Sequence, residues 1–249
     1  MSWPGSKQDL LDVVIVTRGL RPIPGSLMAS IYREIPVNHL IISDRPGVGR
    51  ARDEALRCVV TPLYVGLDDD VPFLPEGWLA SLSSELMADP EAAIIVSPPI
   101  FGQDNNLVER FFRSQPRIKR PASLTAALMR TDKILEVGGF RDMPSGEDSD
   151  LKRRIEAQGL HWLTCVEAEI LQPRDTLTDY KHLIWWGEGR IKESRNLKIV
   201  AIRILRIPRK MAAIFRLTHD PILMVYRASR DLVSCLGYLL NFYKYHGLG

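Results

Sequence analysis

The sequence predicts an α/β fold, with a mostly parallel sheet flanked by helices and followed by an amphipathic helical appendage. Apolar runs at 12–17, 37–43 and 63–67 alternate with segments of helical character, which is the βαβαβ order of parallel strands joined by crossover helices. Near its end the chain instead mixes aliphatic and basic residues at helical spacing. We therefore expect a sheet domain over residues 1–190 and a helical tail over residues 191–249.

Local start and stop signals divide the sheet domain further. The helix after the first strand begins behind Pro24-Gly25 and ends before Pro36, because proline suits a first turn and not a helix interior. The helix that follows Ser145 ends at Gly159. The other predicted elements are helices at 49–60, 75–87 and 132–137, strands at 92–97, 123–129 and 161–165, and an irregular basic segment at 99–121.

Charge is distributed unevenly along the 249 residues. Residues 190–249 contain 12 Lys or Arg against 3 Asp or Glu, whereas residues 1–189 contain 21 against 27. A basic tail behind an acidic body suggests an anionic surface as partner. The three scattered cysteines indicate a reducing compartment, and the sequence shows neither a signal peptide nor a run of ~20 apolar residues. We therefore expect the protein on the cytoplasmic side of the membrane.

Three consecutive acids, Asp68, Asp69 and Asp70 (the acid triplet), follow the buried-strand pattern at 63–67. Adjacent carboxylates repel one another, but a cation at the carboxyl end of a strand stabilises them, and open α/β sheets bind their ligands at that end. Asp68 and Asp70 leave an extended backbone on the same side and offer the oxygen ligands that Mg²⁺ and Mn²⁺ prefer. A solvated acidic turn is the alternative interpretation.

The first two strands also end in polar residues, Thr17 and Asp44. Together with Asp68, these side chains would line one edge of a parallel sheet and form a site of nucleotide size. No Gly-x-Gly-x-x-Gly motif or P-loop lysine follows the first strand, so an ordinary dinucleotide-binding or P-loop protein is not indicated.

A second acidic motif, Glu147-Asp148-x-Asp150, opens the helix after Ser145. The helix dipole favours carboxylates in a first helical turn, which is a purely structural explanation. The alternative is that one of these carboxylates takes the proton of a reacting hydroxyl as a general base.

The two acidic motifs and their spacing resemble the inverting glycosyltransferases of family 2, which have the GT-A fold and use nucleotide-diphosphate sugars. The resemblance covers roughly residues 12–190. The acid triplet matches the family's D-x-D motif, and Glu147 with Asp148 matches its catalytic Glu-Asp pair. Also similar are the helix motif Gly49-Arg50-Ala51-Arg52-Asp53-Glu54-Ala55, in which Asp53 replaces the usual Asn, the turn Val137-Gly138-Gly139-Phe140, and Asp44 at the end of the second strand.

The resemblance implies roles for these residues. Asp148 would be the general base, and Glu147 would position the acceptor. Asp68 and Asp70 would hold Mg²⁺ or Mn²⁺ at the donor diphosphate. Independently of the resemblance, Arg190 or Arg195 is a candidate clamp for that diphosphate, because a guanidinium suits phosphate geometry. The alternative is that either is a solvated or lipid-facing arginine. The expected donor-binding residues are Thr17, Arg18, Asp44, Arg52, Asp68, Asp69 and Arg190.

The sequence also departs from the family pattern. The first strand ends in Thr17-Arg18-Gly19 instead of Pro-Thr-Tyr-Asn, and the histidine that often follows the Glu-Asp helix is absent near Gln172-Pro173-Arg174. The Gln-x-x-Arg-Trp motif of processive synthases is absent too, so we expect transfer of one sugar rather than polymer synthesis.

The tail predicts two amphipathic helices, one at 197–217 that Pro208 should kink or split, and one that begins at Asp220. Basic charge beside aliphatic surface favours peripheral binding to an anionic membrane, and family members with lipid acceptors often carry such tails. We therefore expect a lipid-linked acceptor and a location at the cytoplasmic face of the membrane. The alternatives are a helix pair or lid packed on the catalytic body and a homodimer interface.

Two other functions stay open. A nucleotidyltransferase also uses an α/β sheet with paired acids, although the segment 18–21 is a poor match to its Gly-rich, Lys-bearing loop. A catalytically inactive, membrane-bound nucleotide-binding scaffold would not need both acidic motifs intact. Nucleic-acid binding is not expected, because the cations of the tail alternate with Ile and Leu rather than with aromatic residues.

Overall fold

The computed structural model describes residues 10–17, 22–102, 106–114, 123–143, 145–193 and 197–246. The chain divides into two compact units. The first consists of residues 1–100, 121–142 and 147–173, and the second of residues 101–120, 143–146 and 174–249. The functional boundary at residue 190 that the sequence suggests stays a prediction.

A six-stranded sheet forms the centre of the first unit, with the strand order β2-β1-β3-β6-β4-β7. β6 is antiparallel to both of its neighbours, and the remaining pairs are parallel. The short strands β5 and β8 form a separate parallel pair. The strands are β1 (Leu11–Val16), β2 (Val37–Ser43), β3 (Leu63–Asp68), β4 (Ala92–Val96), β5 (Pro99–Ile100), β6 (Ala126–Arg130), β7 (His161–Thr164) and β8 (Ile170–Leu171).

Helices cover both faces of the sheet because alternate residues of each strand point to opposite sides. Val13 and Ile15 of β1 pack in one apolar cluster with residues of α1 and α3, whereas Val14 packs in another with residues of α2, α5 and α6. These helices are α1 (Gly25–Glu34), α2 (Val48–Leu56), α3 (Trp78–Ala88), α5 (Thr131–Glu136) and α6 (Glu147–Ala157); α4 (Leu107–Arg113) belongs to the second unit.

The predicted fold class is confirmed, and three details of it are corrected. The strand expected at 123–129 is β6, which is shifted toward Arg130 and antiparallel. The helix expected at 49–60 ends at Leu56. The segment 99–121, expected to be irregular, contains β5 and α4, and the side chain of Asn106 caps α4 by accepting from the N–H groups of Val108 and Glu109 at 2.8 and 3.3 Å.

Three long helices dominate the second unit: α7 (Thr176–Glu193), α8 (Lys198–Thr218) and α9 (Pro221–His246). α9 packs against both α7 and α8. A Cβ added to Gly187 of α7 would lie 2.4 Å from the carbonyl carbon of Gly237 of α9, so small residues allow these two backbones to touch. Buried Asp179 of α7 accepts hydrogen bonds from Tyr226 (2.7 Å) and Arg230 (3.0 Å) of α9.

The predicted split of the first tail helix at Pro208 is wrong, because α8 continues through this residue. Proline has no N–H, so one carbonyl group of the preceding helical turn loses its hydrogen bond. Because Pro208 is exposed, water can hydrate that carbonyl. Across the part of the chain that the structure describes, no helix combines the length and apolar character that crossing a bilayer requires.

Candidate active site

Three neighbouring strands end side by side at the carboxyl edge of the sheet. Val16 of β1 is in register with Ser43 of β2 on one side and with Asp68 of β3 on the other. Thr17 and Asp44 directly follow two of these positions, and Asp44 is exposed. The structure thus brings together the polar strand ends that the sequence predicts on one edge.

The first two acids of the triplet have different partners. The hydroxyl of Thr17 donates a hydrogen bond to Asp69 Oδ2 at 2.6 Å. Arg52 Nη2, from α2, donates to Asp68 Oδ1 at 2.6 Å. These contacts attach the carboxyl end of β3 to β1 and to α2, and they relieve part of the repulsion between adjacent carboxylates.

The third acid is held by a residue that the sequence did not single out as functional. Gln172 Nε2 donates to both oxygens of Asp70, at 3.1 and 2.9 Å. Gln172 is buried directly after β8, and its backbone N–H donates to the carbonyl of Ile100 at 2.8 Å. The sequence feature that could have identified Gln172 is its position, because the family pattern often has a histidine in this segment.

Arg52 connects the acid triplet with the Glu-Asp pair. Its buried guanidinium lies between Asp68 and Glu147, with Nη1 3.5 Å from Glu147 Oε1. Burial alone would lower the pKa of Arg52, but the charges of these acids and Asp148 outweigh it and raise the pKa, so the guanidinium stays charged. Nη1 and the hydroxyl of Tyr64 lack hydrogen-bond partners among the described groups. Both residues belong to the lining of a cavity of about 20 Å³, which has room for a water molecule.

The Glu-Asp pair forms the first turn of α6. Glu147 is buried and Asp148 is half-buried, and Asp148 Oδ1 accepts a hydrogen bond from the N–H of Ser149 at 2.7 Å. Burial and then the negative charge of Glu147 raise the pKa of Asp148 to about 7, although Arg52 acts in the opposite direction. A carboxylate that titrates near neutral pH is suited to accepting a proton as a general base.

Asp150, the next acid of the motif, is structural. It is buried and accepts hydrogen bonds from Arg141, Arg153 and Arg154 at 3.2, 2.7 and 2.8 Å. Arg154 in turn donates to the carbonyl of Gly139 at 2.7 Å. Asp150 therefore fixes α6 to the glycine turn, whereas the Glu-Asp pair lies at the amino end of the helix.

The glycine turn is also fixed to α2. Asp53 Oδ1 accepts a hydrogen bond from the N–H of Phe140 at 3.1 Å, and Arg57 donates to Asp53 Oδ2 at 2.9 Å. Gly139 has a φ of +62°, and a Cβ there would lie 2.3 Å from Asp53 Oδ1, so the turn requires glycine. An aspartate in place of the usual asparagine offers two acceptor oxygens for these two donors.

Two of the predicted donor-binding residues cannot be placed. Arg18 lies outside the described residues. Arg190 lies in α7 of the second unit, and its side chain is outside the described part. Their roles, and direct donor contact by Arg52, stay predictions.

The residues at the strand ends suit a hard divalent cation. The described part of the chain contains no cluster of three His, Cys, Asp or Glu side chains that would enclose a metal by itself. Asp68 and Asp70 instead offer carboxylate oxygens at an edge open to ligands, and Mg²⁺ in particular is commonly held by one or two carboxylates together with substrate phosphates. The carboxylate oxygens of Asp68 and Asp70 are therefore suitable ligands for Mg²⁺ or Mn²⁺ that is bound together with a diphosphate.

Neither a family model nor a curated protein matches the sequence. The structure is similar to that of mannosyltransferase PcManGT from Pyrobaculum calidifontis in complex with GDP-Man and Mn²⁺, with a TM-score of 0.56 and 13% identity over 95% of this chain and 75% of that one. This similarity shows the fold, and the predicted GT-A fold is confirmed.

Two other solved structures are more distant. Glucosyl-3-phosphoglycerate synthase from Mycobacterium tuberculosis, in complex with Mn²⁺, UDP-glucose and glycerol 3-phosphate, gives a TM-score of 0.47 with 12% identity over 73% of this chain and 80% of that one. TarS of S. aureus gives 0.49 with 10% identity over 92% and 55%. Similarities at these scores do not indicate an activity for this chain.

Proposed function

We propose that this protein is an inverting, metal-dependent glycosyltransferase of the family 2 type. It moves one sugar from a nucleotide-diphosphate sugar to a hydroxyl or phosphate of a lipid-linked acceptor. The observation that carries the proposal is the buried Arg52, which joins the acid triplet to the Glu-Asp pair at the carboxyl edge of a GT-A sheet. The acid triplet and the Glu-Asp pair, which contains the candidate base, thus contact the same arginine side chain.

The strand ends supply the donor side of the reaction. Asp44 is exposed at the strand end beside Thr17 and would contact the ribose or the base of the nucleotide. Asp68 and Asp70 would hold Mg²⁺ or Mn²⁺, which when bound stabilises the charge on the leaving diphosphate. Gln172 keeps the carboxylate of Asp70 in one orientation by its hydrogen bonds.

The Glu-Asp pair supplies the acceptor side. The acceptor oxygen forms a bond to the anomeric carbon, its proton passes to the carboxylate of Asp148, and the bond from carbon to the diphosphate oxygen breaks with its electron pair leaving on the nucleoside diphosphate. A single displacement of this kind inverts the anomeric configuration. Buried Glu147 raises the proton affinity of Asp148 and orients the acceptor.

A lipid-linked acceptor and a peripheral location at the cytoplasmic face of the membrane complete the proposal. The support is the excess of 12 basic over 3 acidic residues in 190–249 together with the aliphatic surface of α8 and α9. Both properties suit an enzyme that meets its acceptor at an anionic bilayer.

The proposal is tested by screening nucleotide sugars for cleavage by the full chain with and without Mn²⁺. We expect one donor to be hydrolysed slowly in the presence of the metal, and Asp148→Asn to bind that donor normally but to cleave it much more slowly. Glu156→Gln, an exposed substitution on the same helix, is the matched control. A chain that binds donors but hydrolyses none would instead be an inactive nucleotide-binding scaffold.

A further inference from the structure

Two sides of α9 are covered by other helices of the second unit. Tyr226 and Arg230 bind Asp179 of α7. On the α8 side, Ser234 accepts a hydrogen bond from Arg203 at 3.2 Å, and Asp231 accepts one from Lys210 at 3.0 Å. These contacts leave one further side of the helix exposed.

That exposed side of α9 is apolar along its length. Its large side chains follow one another at intervals of three, four or seven residues, which places them on a single helix face. Each of them is between 48% and 63% exposed. They are Ile222, Val225, Leu232, Leu236, Leu240 and Tyr243, and we call them the α9 stripe.

No charged side chain interrupts the stripe within the described residues. Arg227 and Asp231 pair with each other at 3.1 Å on another side of α9, and Arg230 is buried against α7. A charge-free apolar face of this length is unusual for a surface that meets only water.

The exposed charges of the α8–α9 pair are all positive in the part of the chain that the structure describes. Its two acids are engaged, Asp220 with Arg110 and Asp231 with Lys210 and Arg227. The exposed cations are Lys198, Arg206, Arg209, Arg216 and Lys244. Such a surface repels a second copy of itself and attracts an anionic one.

We propose that the α9 stripe inserts into the boundary between headgroups and acyl chains of an anionic membrane, while the exposed cations of α8 bind lipid phosphates. Amphipathic helices lie in this boundary with their apolar face about 5–10 Å deep. The inference rests on the proposed function and deepens it, because it names the surface that brings the enzyme to a lipid-linked acceptor.

The test is flotation of the full chain with vesicles of phosphatidylcholine alone or with added phosphatidylglycerol, at low salt. We expect binding to the anionic vesicles and at least tenfold weaker binding when Val225, Leu232 and Leu236 are all replaced by Gln. A second variant, with Arg206, Arg209 and Arg216 replaced by Gln, should lose the preference for phosphatidylglycerol.

The matched control replaces Tyr32, Val60 and Met87 by Gln, three similarly exposed apolar residues of the first unit, and should bind vesicles like the wild type. The inference is overturned if the wild-type chain ignores anionic vesicles or if the stripe variant binds them equally well. It is also overturned if the stripe variant only converts a dimer to a monomer in sedimentation, because the stripe would then cover a second copy.

The experiments distinguish an error in the proposed membrane-binding surface from an error in the proposed enzymatic function. Donor hydrolysis with Mn²⁺ and without vesicles should be equal in the wild type and in all three variants, since the changed residues lie outside the candidate active site. Loss of vesicle binding with hydrolysis intact therefore reports on the stripe alone.

Discussion

A carboxylate near each edge of the main sheet is shielded from water, but the surroundings shift the pKa values of the two in opposite directions. At the amino edge, buried Asp12 accepts hydrogen bonds from the N–H groups of Val60 and Thr61 at 2.6 and 3.2 Å and from Asn38 at 2.9 Å. Burial alone would raise the pKa of Asp12, but these hydrogen bonds outweigh it and lower the pKa.

At the carboxyl edge, Asp148 has fewer donors and a like charge beside it. Burial and Glu147 raise its pKa to about 7, and Arg52 and the N–H of Ser149 oppose them in part. Several hydrogen-bond donors thus keep a shielded carboxylate such as Asp12 ionised in a structural role, whereas few donors leave Asp148 able to accept a proton near neutral pH.

The largest effect is expected for Asp148→Asn. The amide cannot accept the acceptor's proton, so transfer should fall by about 100- to 10,000-fold. The proposed donor contacts lie on the strand ends, so donor binding measured by calorimetry should stay within twofold. Near-normal turnover would assign the base to another residue, and Glu156→Gln should leave both quantities unchanged.

Asp12→Ala should reduce stability without impairing the chemistry of the folded protein. The backbone N–H groups of Val60 and Thr61 would lose a buried acceptor, which costs about 3 kcal/mol in the free energy of unfolding. Urea denaturation followed by circular dichroism measures the loss, and Glu136→Ala, an exposed acid of α5, is the control. An unchanged midpoint would show that Asp12 does not anchor the amino edge.

Gln172→Ala should weaken metal binding by about tenfold, because residues that orient a carboxylate ligand commonly affect metal affinity to this extent. The measurement is electron paramagnetic resonance of free Mn²⁺ titrated with protein and a nucleoside diphosphate. Gln158→Ala, at an exposed position after α6, should bind like the wild type. Equal affinities in both variants would mean that Gln172 does not support the metal site.

A further prediction concerns stability as a function of pH, through the shifted pKa values of Asp148 and Asp12. From the ordinary value of 3.8 to about 7, the folded protein keeps the proton of Asp148 while the unfolded chain has lost it, so this group lowers stability as pH rises. Asp12 acts oppositely: its contribution is complete above its ordinary pKa and is lost as pH falls through its lowered pKa.

The matching measurement is the unfolding free energy of Asp148→Asn and of the wild type across this range. The decline of stability toward neutral pH should be smaller in the variant, and an identical slope in both proteins would rule out a raised pKa for Asp148.

Much of the fold was predictable because its signals are local. The strands before Thr17, Asp44 and Asp68 are short apolar runs separated by helix-forming segments, and this pattern alone suggests their parallel order. The direction of β6 was not predictable, since the pairing of a strand depends on the rest of the chain. α4 carried a local signal, Asn106 followed by Glu109, that resembles an amino-terminal cap.

The candidate site was predictable only in part. Each acidic motif is contiguous in sequence, and the spacing between the two motifs makes them recognisable. By contrast, the contact between Gln172 and Asp70 joins positions 102 residues apart, and the burial of Arg52 between two acids depends on packing. The opposite pKa shifts of Asp12 and Asp148 are likewise invisible in the sequence, because they arise from donors and charges that folding brings together.

The stereochemistry of sugar release tests most directly whether the reaction is a single displacement with Asp148 as the base. The accepted donor, with an α-configured sugar, is incubated with the full chain and Mn²⁺, and the anomer formed first is read by proton NMR before mutarotation. We expect the β-anomer, which should appear only with the metal and be strongly reduced in Asp148→Asn. Formation of the α-anomer, or equal release by the variant, would contradict a single displacement with Asp148 as the base.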